Sequence, residues 1–189
     1  MKEKGITFKT YRSIDLSILA VLMIVFEVIS INALAYFDQI FYFTSFYIIA
    51  YVAMVRWDKF SFVIPIVHGI TYCLACNGNI NSLIVYVVGN LFIMINLLWF
   101  IKGKKIIKNT YALICFIFTG FLAVVLGRSI VSMCFDLGNI SFLDVFVGYI
   151  QSNTLSILLS IIILIIAKKQ NGVLEDQKEY LLKLQEEKK

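Results

Sequence analysis

The chain has 189 residues, of which 60% are hydrophobic and 15% charged, with mean hydropathy +0.88 and a net charge of +5. Soluble domains carry about 25% charged residues, so an ordinary cytosolic fold, a disordered chain and a secreted disulfide scaffold are all excluded. There is apolar material for five or six spans of about 20 residues, and alternating strand patterns are missing, so the expected class is an all-α integral membrane bundle.

Lys2, Lys4, Lys9 and Arg12 precede a first apolar span over 15–36. The second covers 41–55 and ends at Arg56-Trp57-Asp58-Lys59. The third, 60–75, is short and is interrupted by Pro65, the chain's single proline, with His68 and Gly69 close behind. A polar turn follows, Cys76-Asn77-Gly78-Asn79-Ile80-Asn81, whose Asn and Gly residues suit positive φ. The fourth span, 83–101, stops at Lys102, Gly103, Lys104 and Lys105. The fifth covers 111–135 and the sixth 142–167, closed by Lys168-Lys169.

Cytoplasmic loops accumulate Lys and Arg, which allows the orientation to be counted. Sixteen of the 17 basic residues fall in the N-terminus, the second and fourth loops and the tail. The other loops hold only Asp38, Asp136, Asp144 and neutral residues, which predicts six transmembrane helices with both termini cytoplasmic. A basic balance can also signal nucleic acid, but these cations are interleaved with apolar spans, so no nucleic-acid partner is expected. Ala33-Leu34-Ala35 resembles a signal-peptidase site, but Glu27 interrupts the apolar run and the run is too long for such a segment. Residues 1–168 form the expected six-helix domain and 169–189 a cytoplasmic tail. In the tail, Val173, Tyr180, Leu181 and Leu184 share a helical face and Glu179 precedes Lys183 by four, predicting an amphipathic helix on the bilayer or on a partner, or else a solvated end.

Charges inside a bilayer cost at least about 2.5 kcal/mol on insertion scales, so each is a functional candidate. Arg128 is the one cation outside the cytoplasmic set, about two turns from the outer end of its span, and Glu27 lies near the middle of the first span. They either pair with each other, or Arg128 faces an outward cavity where its fork-shaped guanidinium meets a solute. Asn90 and Asn153 lie at the depth of Arg128, with Tyr86 one turn from Asn90 and Tyr149 and Gln151 ahead of Asn153. The candidate binding layer is therefore Arg128, Asn90, Asn153, Tyr86, Gln151, Asn79 and Glu27, unless the amides serve as interhelical glue. His68 with Cys73 and Cys76 admits a membrane cysteine peptidase. The lone C-x-x-C pair lacks the four ligands of a structural zinc site, and neither a metal nor a cofactor is expected.

Six short helices, the basic N-terminus and the polar third loop resemble the substrate-binding S component of energy-coupling factor (ECF) transporters. The stretch 49–105 is similar in its Arg56-Trp57-Asp58-Lys59 turn, its Pro-His-Gly helix and Tyr86-Val87-Val88-Gly89-Asn90. Leu126-Gly127-Arg128 and the ending Lys169-Gln170-Asn171-Gly172 through Leu184 resemble small members from Gram-positive bacteria. The resemblance implies capture of a vitamin or other small micronutrient from outside, partnership with a coupling transmembrane subunit and two ATPase subunits, and no enzymatic activity in this chain. Family members carry an Ala-x-x-x-Ala docking pair in the first helix; Ser13 and Ser17 hold that spacing here. The rival readings are a peptidase processing a quorum-type peptide, with His68 and Cys73 or Cys76 as its dyad, and a structural membrane adaptor.

Overall fold

A computed structural model describes residues 7–37, 43–104, 108–135, 141–170 and 172–186. Lys2, Lys4, Asp38, Lys105, Asp136, Asn171, Lys188 and Lys189 lie outside the described residues. The described residues are helical throughout, in seven α-helices: α1 (Phe8–Phe37), α2 (Phe46–Trp57), α3 (Val63–Ala75), α4 (Ile80–Leu91), α5 (Thr110–Met133), α6 (Phe142–Ala167) and α7 (Gln177–Glu186). A 3-10 turn, Asp58–Phe62, leads into α3, and a longer 3-10 stretch, Phe92–Lys102, extends α4.

Four stretches among the described residues are long and apolar enough to cross a bilayer: Phe8–Ala33, Ile80–Ile101, Thr110–Met133 and Phe142–Ala167. α1 shows why lipid must be the solvent. Its inward stripe is narrow, Leu16, Leu19, Met23 and Glu27, while Ile14, Ile18, Val21, Val25 and Ile29 lie exposed around it. Such a surface belongs against acyl chains.

α2 and α3 are short when counted by themselves, with the 3-10 turn Asp58–Phe62 joining them. At about 1.5 Å per residue their 12 and 13 residues reach about 18–20 Å, against a hydrocarbon core of about 30 Å. α2 is instead the central core helix, buried from Phe46 through Val55 except at Ile48. Pro65 does not interrupt α3 either. It stands in the first turn, where its missing N–H would have had no intrahelical partner.

Glycines let the next three helices approach backbone to backbone. A Cβ at Gly69 would sit 2.7 Å from Val87 N, and one at Gly89 would sit 2.7 Å from Arg128 Cα. α3, α4 and α5 therefore pack without side chains between them at these points. The Asn-Gly-Asn turn between α3 and α4 is used by its own geometry: Asn77 adopts φ 51°, and Asn79 caps α4 by accepting from Ser82 N at 2.9 Å.

Charged contacts gather at one end of the bundle. Arg56 pairs with Asp15 at 3.0 Å, Trp57 Nε1 donates to Asp15 at 2.5 Å, and Arg12 lies over the Phe60 ring. Lys104 bridges Asp58 at 2.9 Å and Asp176 at 2.5 Å. Asp176 caps α7 through Lys178 N and Glu179 N, so the tail folds back on the helix ends of its own chain, with Gln177 buried. We call this the basic end; the α3–α4 turn and the junction between α5 and α6 mark the far end.

Candidate functional site

Toward the far end, side chains from five helices and the residue leading into α2 meet in one buried polar cluster. α1 supplies Glu27, the lead-in to α2 supplies Thr44, α3 supplies His68, α4 Asn90, α5 Arg128 and α6 Ser156. Glu27, Thr44, His68, Asn90 and Ser156 are fully enclosed, and Arg128 is 2% exposed. In hydrocarbon surroundings such groups persist only by satisfying one another.

The hydrogen-bond directions assign the protons. Arg128 donates from Nε at 2.9 Å and Nη2 at 2.7 Å to Asn90 Oδ1, which fixes the orientation of the Asn90 amide. Asn90 Nδ2 must then donate, to His68 Nδ1 at 2.8 Å and weakly to Pro65 O at 3.4 Å. His68 Nδ1 is thus an acceptor, and the imidazole is neutral with its proton on Nε2. That proton goes to Thr44 Oγ1 at 3.2 Å, and Thr44 donates its own to Glu27 Oε2 at 2.7 Å. Glu27 Oε1 lies 3.1 Å from His68 Nε2 but off the N–H direction, so it completes no hydrogen bond. Thr44 is itself anchored, its N–H donating to Ser156 Oγ at 3.0 Å.

Aromatic rings wall the cluster. Tyr86 lies under the guanidinium at 4.7 Å and Tyr149 at 6.0 Å, and Tyr72 packs on Tyr86 with centroids 4.1 Å apart. Phe46 stacks on His68 at 4.3 Å. These contacts hold the cation in an electron-rich recess and keep the imidazole from rotating.

The residues expected from sequence fall into three groups. Arg128, Asn90 and Tyr86 are brought together directly, and Glu27 joins them through His68 and Asn90 rather than by direct pairing. Asn153 is buried on α6; its Nδ2 donates to Tyr149 O at 2.9 Å, while its Oδ1 has no partner. Gln151 is exposed on α6 and Asn79 is exposed as the α4 cap, both away from the cluster. Ser13 and Ser17 are exposed on the same flank of α1.

Thr44, Ser156 and the bridging role of His68 escape a reading by single spans. The available signal was that Glu27 and His68 are both ionisable and both far from a span end, a combination that in lipid calls for partnership. His68 does not meet a cysteine: its ring nitrogens are engaged by Thr44 and Asn90. Cys73 Sγ instead donates to Asn79 O at 3.5 Å, and desolvation pushes the Cys76 thiol up, away from the thiolate a nucleophile needs.

Chemically, the cluster can hold an anion. A guanidinium carries five N–H donors, and Arg128 spends two of them on Asn90; its Nη1 finds no acceptor among the described residues. No protein-family model, curated protein or solved structure matches the chain.

Proposed function

We propose that the chain is a membrane-embedded capture subunit of the ECF S-component kind, which takes up a small nutrient and performs no chemistry on it. The observation that carries this reading is Arg128: a desolvated cation with unused donors, walled by tyrosines, inside a closed cluster built from almost every helix. A permanent structural ion pair would have placed a carboxylate on those donors. In this reading the six apolar segments cross the bilayer with both termini cytoplasmic, so the basic end faces inward and the cluster lies in the outer half. The coupling transmembrane subunit docks laterally on α1 beside Ser13 and Ser17, and two ATPase subunits supply the energy. A structural adaptor fits less well, because an adaptor has no use for buried polar atoms left without partners.

Two measurements test it. The chain should co-purify with a coupling module that hydrolyses ATP, and solute should accumulate in cells only when both are present; accumulation with this chain alone overturns the reading. For orientation, an impermeant thiol reagent should label Cys76 in intact cells and should not label a cysteine introduced at Gly103.

A further inference from the structure

The polar atoms that are buried without a hydrogen-bond partner in the described residues are Glu27 Oε1, Ser45 Oγ, Tyr47 Oη, Arg56 Nε and Asn153 Oδ1, of which Glu27 Oε1 lies 3.1 Å from His68 Nε2. All but Arg56 belong to the cluster or border it. Tyr47 is placed there by Phe46, its ring neighbour at 5.1 Å, which stacks on His68. Asn153 is placed there by α6: one turn before it Tyr149 flanks Arg128, and one turn after it Ser156 holds Thr44. Asn153 thus shares a face of α6 with Tyr149 and Ser156, which reach the two poles.

Unmatched groups in a buried site describe what would match them. At one pole are guanidinium N–H donors, planar and forked, suited to a carboxylate held by two parallel bonds. Glu27 cannot fill that role, because Thr44 holds it at the other pole, beside His68. A cationic ligand would face Arg128 unshielded, and a tetrahedral dianion would find one guanidinium for its two charges. Asn153 Oδ1 and Glu27 Oε1 can only accept, so the opposite edge of the ligand must donate. Between the poles the surfaces are flat rings, Tyr72, Tyr86, Tyr149 and Phe46. A ring inserted beside Tyr86 would replace the Tyr72 ring contact at 4.1 Å with another aromatic contact.

We infer that the captured solute is a compact, flat aromatic or heteroaromatic carboxylate carrying an N–H donor on the side of the ring opposite the acid. This rests on the capture reading and specifies its ligand class. Arg128 takes the carboxylate and Asn153 takes the donor; Tyr86 and Tyr149 line the ring.

The experiment measures equilibrium binding to the purified full chain in lipid nanodiscs with four probes: 4-aminobenzoate, 4-aminobenzamide, benzoate and 4-aminobenzamidine. The expected order is saturable binding of 4-aminobenzoate, with the amide weaker by about tenfold or more and the amidine not bound. Benzoate should fall between the acid and the amide, and Asn153→Leu should abolish the advantage of 4-aminobenzoate over benzoate. Arg128→Gln should abolish the preference for acid over amide, and Arg128→Lys, which keeps the charge without the fork, should retain part of it. Thermal unfolding of each variant in the same nanodiscs separates lost binding from lost fold. Equal binding of acid and amide, binding of the amidine, or no acid bound overturns the ligand class. If that happens while co-purification and coupled uptake persist, the capture reading survives its ligand assignment. Conversely, Arg128-dependent acid binding without any coupled uptake leaves the site and removes the capture role.

Discussion

Two interhelical polar knots lie in this bundle, and they are finished differently. The one nearer the basic end is neutral and complete. Asn96 Nδ2 donates to Phe116 O at 2.6 Å, its Oδ1 accepts from Thr119 Oγ1 at 3.1 Å, Trp99 Nε1 donates to Thr119 at 3.1 Å, and Tyr51 donates to Ile117 O at 2.6 Å. Gly120 makes the room, since a Cβ there would lie 2.3 Å from Asn96 Nδ2 and 2.6 Å from the Tyr51 hydroxyl. The knot toward the far end contains Glu27, His68, Asn90 and Arg128, carries both charges, and is bordered by atoms without partners. Interhelical glue completes itself, whereas a site keeps valences open. That contrast separates the two amides Asn90 and Asn96, which are six residues apart in one apolar span.

The largest way to break the contrast is to cut the charged relay at its centre. His68→Leu strands the Glu27 carboxylate against Thr44 alone and leaves the Asn90 amide only the weak acceptor Pro65 O. Removing one partner from a buried charged network costs about 3 to 5 kcal/mol. Unfolding titrations in detergent should show a loss of that size. A loss smaller than that of Asn96→Leu would mean the relay is not what holds Glu27 in place.

Asn96→Leu sharpens the contrast from the other side. It removes neutral bonds whose partners have alternatives: Phe116 O keeps Thr119 as a donor, and Thr119 keeps Trp99. Side-chain hydrogen bonds between membrane helices average about 0.6 kcal/mol and reach about 1.7, and the loss in the same titration should lie in that range. Solute binding should be untouched.

Much of this was legible in the residues, for physical reasons. Lipid imposes long apolar runs, and four of the spans follow from them directly. Arg128, Asn90 and Tyr86 could be grouped because depth along a helix is simple arithmetic at about 1.5 Å per residue. What depth does not report is azimuth. Gln151 shares the depth of Asn153 but faces outward, and Asn79 shares the polar character of the site but is consumed by its own helix cap. Length is less informative for α2, because a helix enclosed by protein is as apolar as one facing lipid. His68 invited grouping with the cysteines by proximity in sequence; its partners come instead from α1, α4 and the lead-in to α2, and such pairings are set by packing alone.

Arg128→Gln tests whether the cation belongs to the fold or to the site. Glu27 keeps Thr44 and His68 when Arg128 is lost, and the Gln amide can still donate toward Asn90 Oδ1. Stability should therefore change by less than about 1 kcal/mol, below the 3 to 5 expected if Arg128 neutralised Glu27 directly. A double-mutant cycle with Glu27→Gln measures what passes between the two charges through His68 and Asn90. Strong destabilisation by Arg128→Gln alone, recovered in the double variant, would make the cluster a structural ion pair.

The smallest expected effect lies at the basic end, where Asp176 ties the tail to Lys104. Burial works to raise the Asp176 carboxyl, but the Lys104 hydrogen bond and charge, with the N–H groups of Glu179 and Lys178, outweigh it and hold the group below its ordinary value of 3.8. A carboxyl depressed in the folded state contributes stability above its unfolded value and loses it as pH falls through the folded value. Tail docking should thus be unchanged between neutral pH and about pH 5, then loosen as the solution is acidified through and below the ordinary carboxylate range. The contact is partly exposed, so the effect is local and weakened by salt. Hydrogen exchange along α7 is the measure: it should speed up in that acidic window after correction for intrinsic rates. Asp176→Asn should give faster α7 exchange already at neutral pH and flatten this acid-dependent change, since Asn can neither lose a proton nor pair fully with Lys104. An α7 that exchanges identically in the variant and the parent at pH 7 would mean that Leu174 and Gln177, packed against the bundle, hold the tail without the charge.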